Sequence, residues 1–152
     1  MRFRRVVMVA VAVLGMVLAQ AGWAQGGSSP VGRWRTMDDA TGKAKSIVVL
    51  YLENGKLYGK VEKILDPDPT NPEEICRKCE GEQHDKPIVG LRMLWDMTAS
   101  GAEWGSGMIL DPHTGSTYRC IMTVVENGAR LKVRGYVGVP MLGRTQYWVR
   151  EP

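Results

Sequence analysis

From residue 31 onward, apolar side chains alternate with polar ones, and turn-forming residues interrupt the alternation at short, regular intervals. A period of two belongs to half-buried strands, not to helices. The pattern predicts strands over Val31–Thr36, Lys45–Leu52, Lys56–Ile64, Leu91–Met97, Glu103–Leu110, Thr117–Val125, Arg130–Val137 and Arg144–Arg150. One connector, Glu53-Asn54-Gly55, carries the Asn-Gly pair that supplies the positive φ angles of a tight hairpin. Ser100-Gly101, Asp111-Pro112-His113-Thr114-Gly115, Glu126-Asn127-Gly128 and Pro140-Met141-Leu142-Gly143 are all rich in turn formers.

About eight antiparallel strands joined mostly by hairpins would close into an all-β up-and-down barrel, which leaves no exposed sheet edge. A barrel of that size either fills with side chains or holds one small ligand. The alternation puts Leu57, Gly59 and Val61 inside, with Tyr118, Cys120, Met122 and Val124, and with Leu131, Val133, Gly135 and Val137. Lys60, Glu62, Arg119, Thr123, Lys132 and Arg134 then face out. Gly59 and Gly135 stand in the middle of good strands, which favours barrel curvature over a point of close approach. Met93, Trp95 and Met97 repeat at strand spacing, as a core stripe or a ligand wall would. From register alone, the candidate ligand contacts are Trp95, Tyr118, Met122 and Tyr136. A one-residue slip would turn any of them outward.

The first 24 residues read as a secretory leader: Arg2, Arg4 and Arg5, then an apolar run from Val6 to Ala19, then small residues suited to cleavage after Ala24 or after Ala21. The run is too short for a spanning helix. This predicts a periplasmic or secreted protein and no membrane span in the mature chain. Of the 20 basic residues three belong to the leader, leaving 17 against 16 acidic ones over residues 25–152, so the basic balance is no argument for a nucleic-acid partner. The remaining length fits a single domain with one core.

One stretch breaks the hairpin rhythm. Residues 66–90 hold prolines at 67, 69, 72 and 87 and the cysteines at 76 and 79, and are too long for an ordinary connection. They suit a lid or side cover at one barrel end, or a packed structural loop. Cys76-Arg77-Lys78-Cys79 admits a local disulfide, a redox-active pair, or part of a zinc site with His84. An oxidising compartment favours the disulfide, a redox pair lacks the surrounding βαβ pattern, and zinc lacks a fourth ligand. Cys120 points inward and is expected to be a buried, inert thiol unless it pairs with the loop. His84 and His113 have no nucleophile beside them in sequence, and Asp66 and Asp68 lack the other ligands of a calcium loop, so no catalytic constellation, metal or cofactor is expected.

Several segments together carry a family likeness. Gly32-Arg33-Trp34-Arg35-Thr36, Asp39-Ala40-Thr41-Gly42-Lys43, Asn54-Gly55-Lys56-Leu57-Tyr58-Gly59-Lys60, Leu65-Asp66-Pro67-Asp68-Pro69, Cys76-Arg77-Lys78-Cys79, Ile109-Leu110-Asp111-Pro112, Leu131-Lys132-Val133-Arg134-Gly135-Tyr136 and Gly143-Arg144-Thr145-Gln146 resemble the bacterial domain-of-unknown-function family 2147. The resemblance implies an exported, lipocalin-like barrel of the calycin type with no settled activity. Such barrels open with a Gly-x-Trp whose indole packs at the barrel base near an arginine of the last strand. Gly32 and Trp34 match the first part, and Arg144 or Arg150 could supply the second, with Arg144 taken as the structural partner. The chain ends at Pro152 without the helix that flanks lipocalin barrels, which argues against a generous cavity.

The reading that follows is a non-enzymatic envelope protein that binds a small apolar or amphipathic ligand, entered from the end covered by residues 66–90. The alternatives are a solid-barrel interaction module docking on an envelope protein, and a thiol redox protein using Cys76 and Cys79.

Overall fold

The computed structural model describes residues 29–152; the leader expected over residues 1–24 lies outside them. Eight strands close in chain order into one antiparallel barrel: β1 (Gly32–Met37), β2 (Ala44–Glu53), β3 (Lys56–Ile64), β4 (Arg92–Ser100), β5 (Glu103–Asp111), β6 (Ser116–Val125), β7 (Arg130–Tyr136) and β8 (Arg144–Arg150). The all-β barrel and its strand count are as the alternation predicts. Closure is made by β1 on β8, where Trp34 lies opposite Arg150 and Arg35 opposite Val149. No helix among the described residues is long and apolar enough to cross a membrane. The outer face carries exposed Lys60, Glu62, Arg119 and Lys132 over an apolar interior, the reverse of the pattern a lipid-facing barrel needs.

The interior is packed hard at one end. Trp34, Leu50, Leu57, Met97, Met122 and Leu131 are all essentially inaccessible to solvent there. Trp34 is held from below: its indole N–H donates to the Pro30 carbonyl at 2.7 Å, and the Arg150 guanidinium lies 4.2 Å from the ring centroid. The same guanidinium donates to the carbonyls of Gly128 (2.6 Å), Ser29 (2.7 Å) and Val31 (3.2 Å), tying the chain entering β1 to the turn between β6 and β7. Gly32 has a φ of 131°, and a Cβ there would sit 3.2 Å from Arg150 Nη1, so the motif needs glycine for both backbone and space.

This corrects the choice of Arg144 as the structural arginine. Arg144 stands at the opposite, start-of-strand end of β8, with its side chain 75% exposed and 2.7 Å from Asp39. The last strand runs away from the mouth, so only the residue at its end reaches the base.

Two further expectations change. Strand β7 ends at Tyr136, and Val137, expected inside, is 70% exposed. In β4 the simple alternation fails. Leu94 pairs with Ile109 and Trp95 with Met108, which puts Leu94 on the inward face and Trp95 on the outward one, since residues directly opposite share a face. A left-handed residue at Asp96 (φ 60°) then returns Met97 to the interior. Gly107 of β5 accommodates this kink, because a Cβ there would meet the Trp95 carbonyl at 2.5 Å. Gly59 is likewise a point of close approach: a Cβ would lie 2.6 Å from Leu50 Cδ2 and 3.1 Å from Leu94 Cβ.

Candidate functional site

The other end of the barrel is open. A cavity of about 690 Å³ enters between the β1–β2, β3–β4, β5–β6 and β7–β8 connections and runs down to the packed base. Its size falls within the usual range for small-molecule sites, so the barrel is not packed solid. The wall is apolar in its depths, with Val61, Ile88, Met93, Ile109, Val133 and Trp148. Gly135 opens it further: a Cβ there would rest at 3.5 Å from Tyr118 and 3.8 Å from Ile109, in ordinary contact, with the cavity beyond.

Of the four ligand contacts expected from register, Tyr118 and Tyr136 line this cavity. Trp95 does not, because the β4 irregularity turns it to the outer face. Met122 does point inward, opposite Val133 and Trp104, but is wholly buried and does not reach the cavity. Trp148 was not anticipated. It is 1% exposed, lines the cavity, and its Nε1 has no hydrogen-bond partner among the described residues. The signal was present in the alternation of β8, since Gln146 and Trp148 share the inward face opposite Val133 and Leu131. Tyr147 faces out, beneath the Arg130 guanidinium at 4.6 Å.

The long connection covers one side of the mouth. Residues 66–90 are folded back on themselves by an Ile75–Pro87 bridge and by hydrogen bonds from Cys76 N to Lys86 O (2.8 Å) and Ile88 N to Glu74 O (2.8 Å). Cys76 and Cys79 form the disulfide, with both residues buried. The disulfide turn docks on the β5–β6 connection: Gly115, at φ 72°, packs so closely that a Cβ would collide with the Lys78 carbonyl. Asp66, Asp68, Asn71, Glu74 and Ile88 of this connection face the cavity. Asn71 donates through Nδ2 to Ile75 O at 2.7 Å while its Oδ1 is buried without a partner.

The rim has two characters. On the β7–β8 side Val137 and Leu142 line the entrance and Val139 and Met141 stand beside them, all strongly exposed. Arg134 holds this apolar turn in shape, donating to Pro140 O (2.6 Å) and Met141 O (3.2 Å) and to Thr145 Oγ1 (2.6 Å). The rest of the rim is rich in carboxylates, with Lys45, His113 and Arg144 among them. Asp38 accepts hydrogen bonds from Thr41 and Ala40 and faces Lys45 at 3.5 Å, and these keep its carboxyl below the ordinary carboxylate range. Thr70 does the same for Asp68, with His113 3.7 Å away adding to the effect.

Nothing here assembles a metal centre: the described residues contain no group of three or more His, Cys, Asp or Glu placed to hold an ion. His84 is engaged with the Cys79 carbonyl at 3.0 Å through Nδ1. Cys120 is free and buried in the barrel core, where desolvation pushes its thiol pKa up to about 12.

An eight-stranded up-and-down barrel, packed at a Gly-x-Trp base and open to an apolar cavity at the far end, is a lipocalin-like architecture. The chain belongs to the family described as "uncharacterized protein conserved in bacteria (DUF2147)", which it matches over residues 32–150. Among solved structures it is similar to protein HP1028 from the human pathogen Helicobacter pylori, described as belonging to the lipocalin family. The TM-score is 0.69 at 20% identity, covering 82% of this chain and 84% of that one. At that identity the likeness establishes the fold. No curated protein matches the chain.

Proposed function

We propose that this protein is exported to the bacterial envelope or beyond, and there holds a small apolar or amphipathic molecule in its barrel without transforming it. The observation that carries the reading is the cavity itself: about 690 Å³, apolar in depth, and opening at the end that the disulfide-bearing connection flanks. A protein selected only as a solid docking module would gain stability by filling that space, since voids forfeit packing. Its retention favours a bound molecule. The buried disulfide supports an oxidising compartment. The high thiol pKa of Cys120 argues against nucleophilic use of the one free cysteine.

The test is binding of N-phenylnaphthylamine, a neutral apolar fluorophore, to the purified protein and to Gly135→Leu. Wild type is expected to give a saturable rise in fluorescence, and the variant to lose at least about tenfold in affinity while keeping its circular dichroism, because the new side chain occupies the cavity. Absence of saturable binding to wild type, or equal binding to the folded variant, overturns the reading.

A further inference from the structure

The turn between β7 and β8 sets four large apolar side chains in water: Val137, Val139, Met141 and Leu142, the last two 88% and 81% exposed. Nine large apolar or aromatic side chains are exposed among the described residues, and residues 137–142 hold four of them. Arg134 braces the turn, donating to Pro140 O, Met141 O and Thr145 Oγ1. A contiguous apolar projection marks a surface that is covered in use. Charge decides what covers this one. Residues 116–150, which carry β6, β7, β8 and the turns between them, contain six basic residues and a single acid, Glu126, in the turn at the base. Glu126 answers Arg130 at 3.1 Å, Asp39 answers Arg144 at 2.7 Å, and Arg150 is committed to the base. Arg119, Lys132 and Arg134 remain, with no ion-pair partner among the described residues. All three face outward, away from buried Leu131 and Val133: Arg119 lies opposite Tyr136, Arg134 opposite Ile121 and Thr145, and Lys132 opposite Thr123 and Tyr147. The mouth carboxylates belong to other connections, and the one that supplies Asp66, Asp68 and Glu74 lies diametrically across the ring of strands. A chain close to neutral is thus basic along one side and apolar at that side's tip.

We infer that this side of the barrel docks on an anionic lipid surface. The tip enters the boundary between headgroups and acyl chains, where an interfacial apolar face sinks about 5–10 Å. Successive outward positions along a strand are about 7 Å apart. With the tip at that depth Arg119, level with Tyr136, and then Arg134 and Lys132 step back through the layer of phosphates. A second copy of this chain seated on the tip would bring its own cations to the seam, like charge against like. An anionic bilayer supplies the apolar layer and the opposite charge together. The docking stands whether or not the cavity holds a molecule, and it lays the mouth beside the bilayer, since Val137 and Leu142 also line the entrance.

The experiment is flotation of the protein, purified after export so that the expected leader is gone, with vesicles of phosphatidylcholine alone or mixed equally with phosphatidylglycerol, at about 0.1 M and about 1 M salt. At the lower salt wild type is expected to bind the mixed vesicles at least about tenfold more tightly than the neutral ones, and the preference should largely vanish at the higher. Val139→Ser with Met141→Ser removes apolar contact without touching the cavity wall, and should weaken binding to the mixed vesicles at least about fivefold. Arg119→Gln with Lys132→Gln should abolish most of the preference for anionic lipid and leave the weaker binding to neutral vesicles unchanged. Arg134 is kept in both variants because it also braces the turn. All the substituted side chains are exposed, so circular dichroism and the thermal midpoint should match wild type. No flotation of wild type, equal binding of neutral and mixed vesicles, or undiminished binding of mixed vesicles by either variant overturns the lipid surface. A dimer in sedimentation velocity that Val139→Ser with Met141→Ser abolishes, with no vesicle binding by wild type, overturns it in favour of a second copy on the tip.

Discussion

Replacing Arg150 by alanine should remove more stability than any other single surface arginine, and the amount can be worked from its contacts. Its guanidinium donates to three backbone carbonyls, those of Gly128, Ser29 and Val31, and stacks over Trp34 at 4.2 Å. Gly128 is buried, so losing its partner leaves that carbonyl unsatisfied, about 1–2 kcal/mol. The other two bonds lie at the solvent edge, where water replaces much of what is lost, about 0.5 kcal/mol each. The stacking adds about 0.5–1 kcal/mol. The sum is about 2.5–4 kcal/mol, enough to lower the midpoint of thermal unfolding by roughly 8–15 °C for a domain of this length. Urea unfolding followed by tryptophan fluorescence would measure it, with equal m-values confirming that the two states are unchanged. Arg150→Lys should recover less than half, since an ammonium cannot reach three carbonyls and the indole face together. Arg144→Ala breaks an ion pair whose arginine is 75% exposed and should cost no more than about 0.5 kcal/mol. If Arg150→Ala is no worse than Arg144→Ala, the arginine does not close the base of this barrel, and the account of Gly32 and Trp34 falls with it.

Gly115→Ala should undock the disulfide turn, because the new Cβ meets the Lys78 carbonyl and the backbone also sits at φ 72°. Trypsin is expected to cut after Arg77 or Lys78 in the variant under conditions where wild type stays intact, and equal resistance would refute the docking. Cys120 should be silent toward a thiol reagent at pH 8 in native protein and react on unfolding, since desolvation raises its pKa from 9.0 to about 12. The folded state holds that proton more tightly than the unfolded state, so stability should decline as pH rises between about 9 and 12, and Cys120→Ala should flatten the decline.

Much of the fold was legible because hairpins are local. Asn-Gly at residues 54–55 and the alternation on either side of it specify strand, register and partner within a few residues of sequence. Where the reading failed, it failed for reasons that local alternation does not carry. The kink at Asp96 exists because β5 brings Gly107 against it, a contact made across the sheet, so Trp95 reads as inward until its neighbour is known. Met122 had the right face but does not reach the cavity. Arg144 had the right strand and the wrong end, and strand direction decides which end of a barrel a residue serves.

The site was harder to read than the fold, and topology explains why. In an up-and-down barrel alternate connections gather at one end, so the β1–β2, β3–β4, β5–β6 and β7–β8 links meet at the mouth while the links between them meet at the base. Asp38, Asp66, Glu74 and Asp111 are separated by whole hairpins along the chain, and each alone reads as an ordinary turn residue. Only closure, made by Trp34 against Arg150, turns those separate loops into one carboxylate-rich rim. The residues that hold the base therefore also assemble the mouth, although none of them touches it. Loosening the base should therefore lower apparent ligand affinity only under conditions where the unfolded fraction becomes appreciable, whereas a side chain that fills the cavity, as in Gly135→Leu, should lower it with the barrel fully folded.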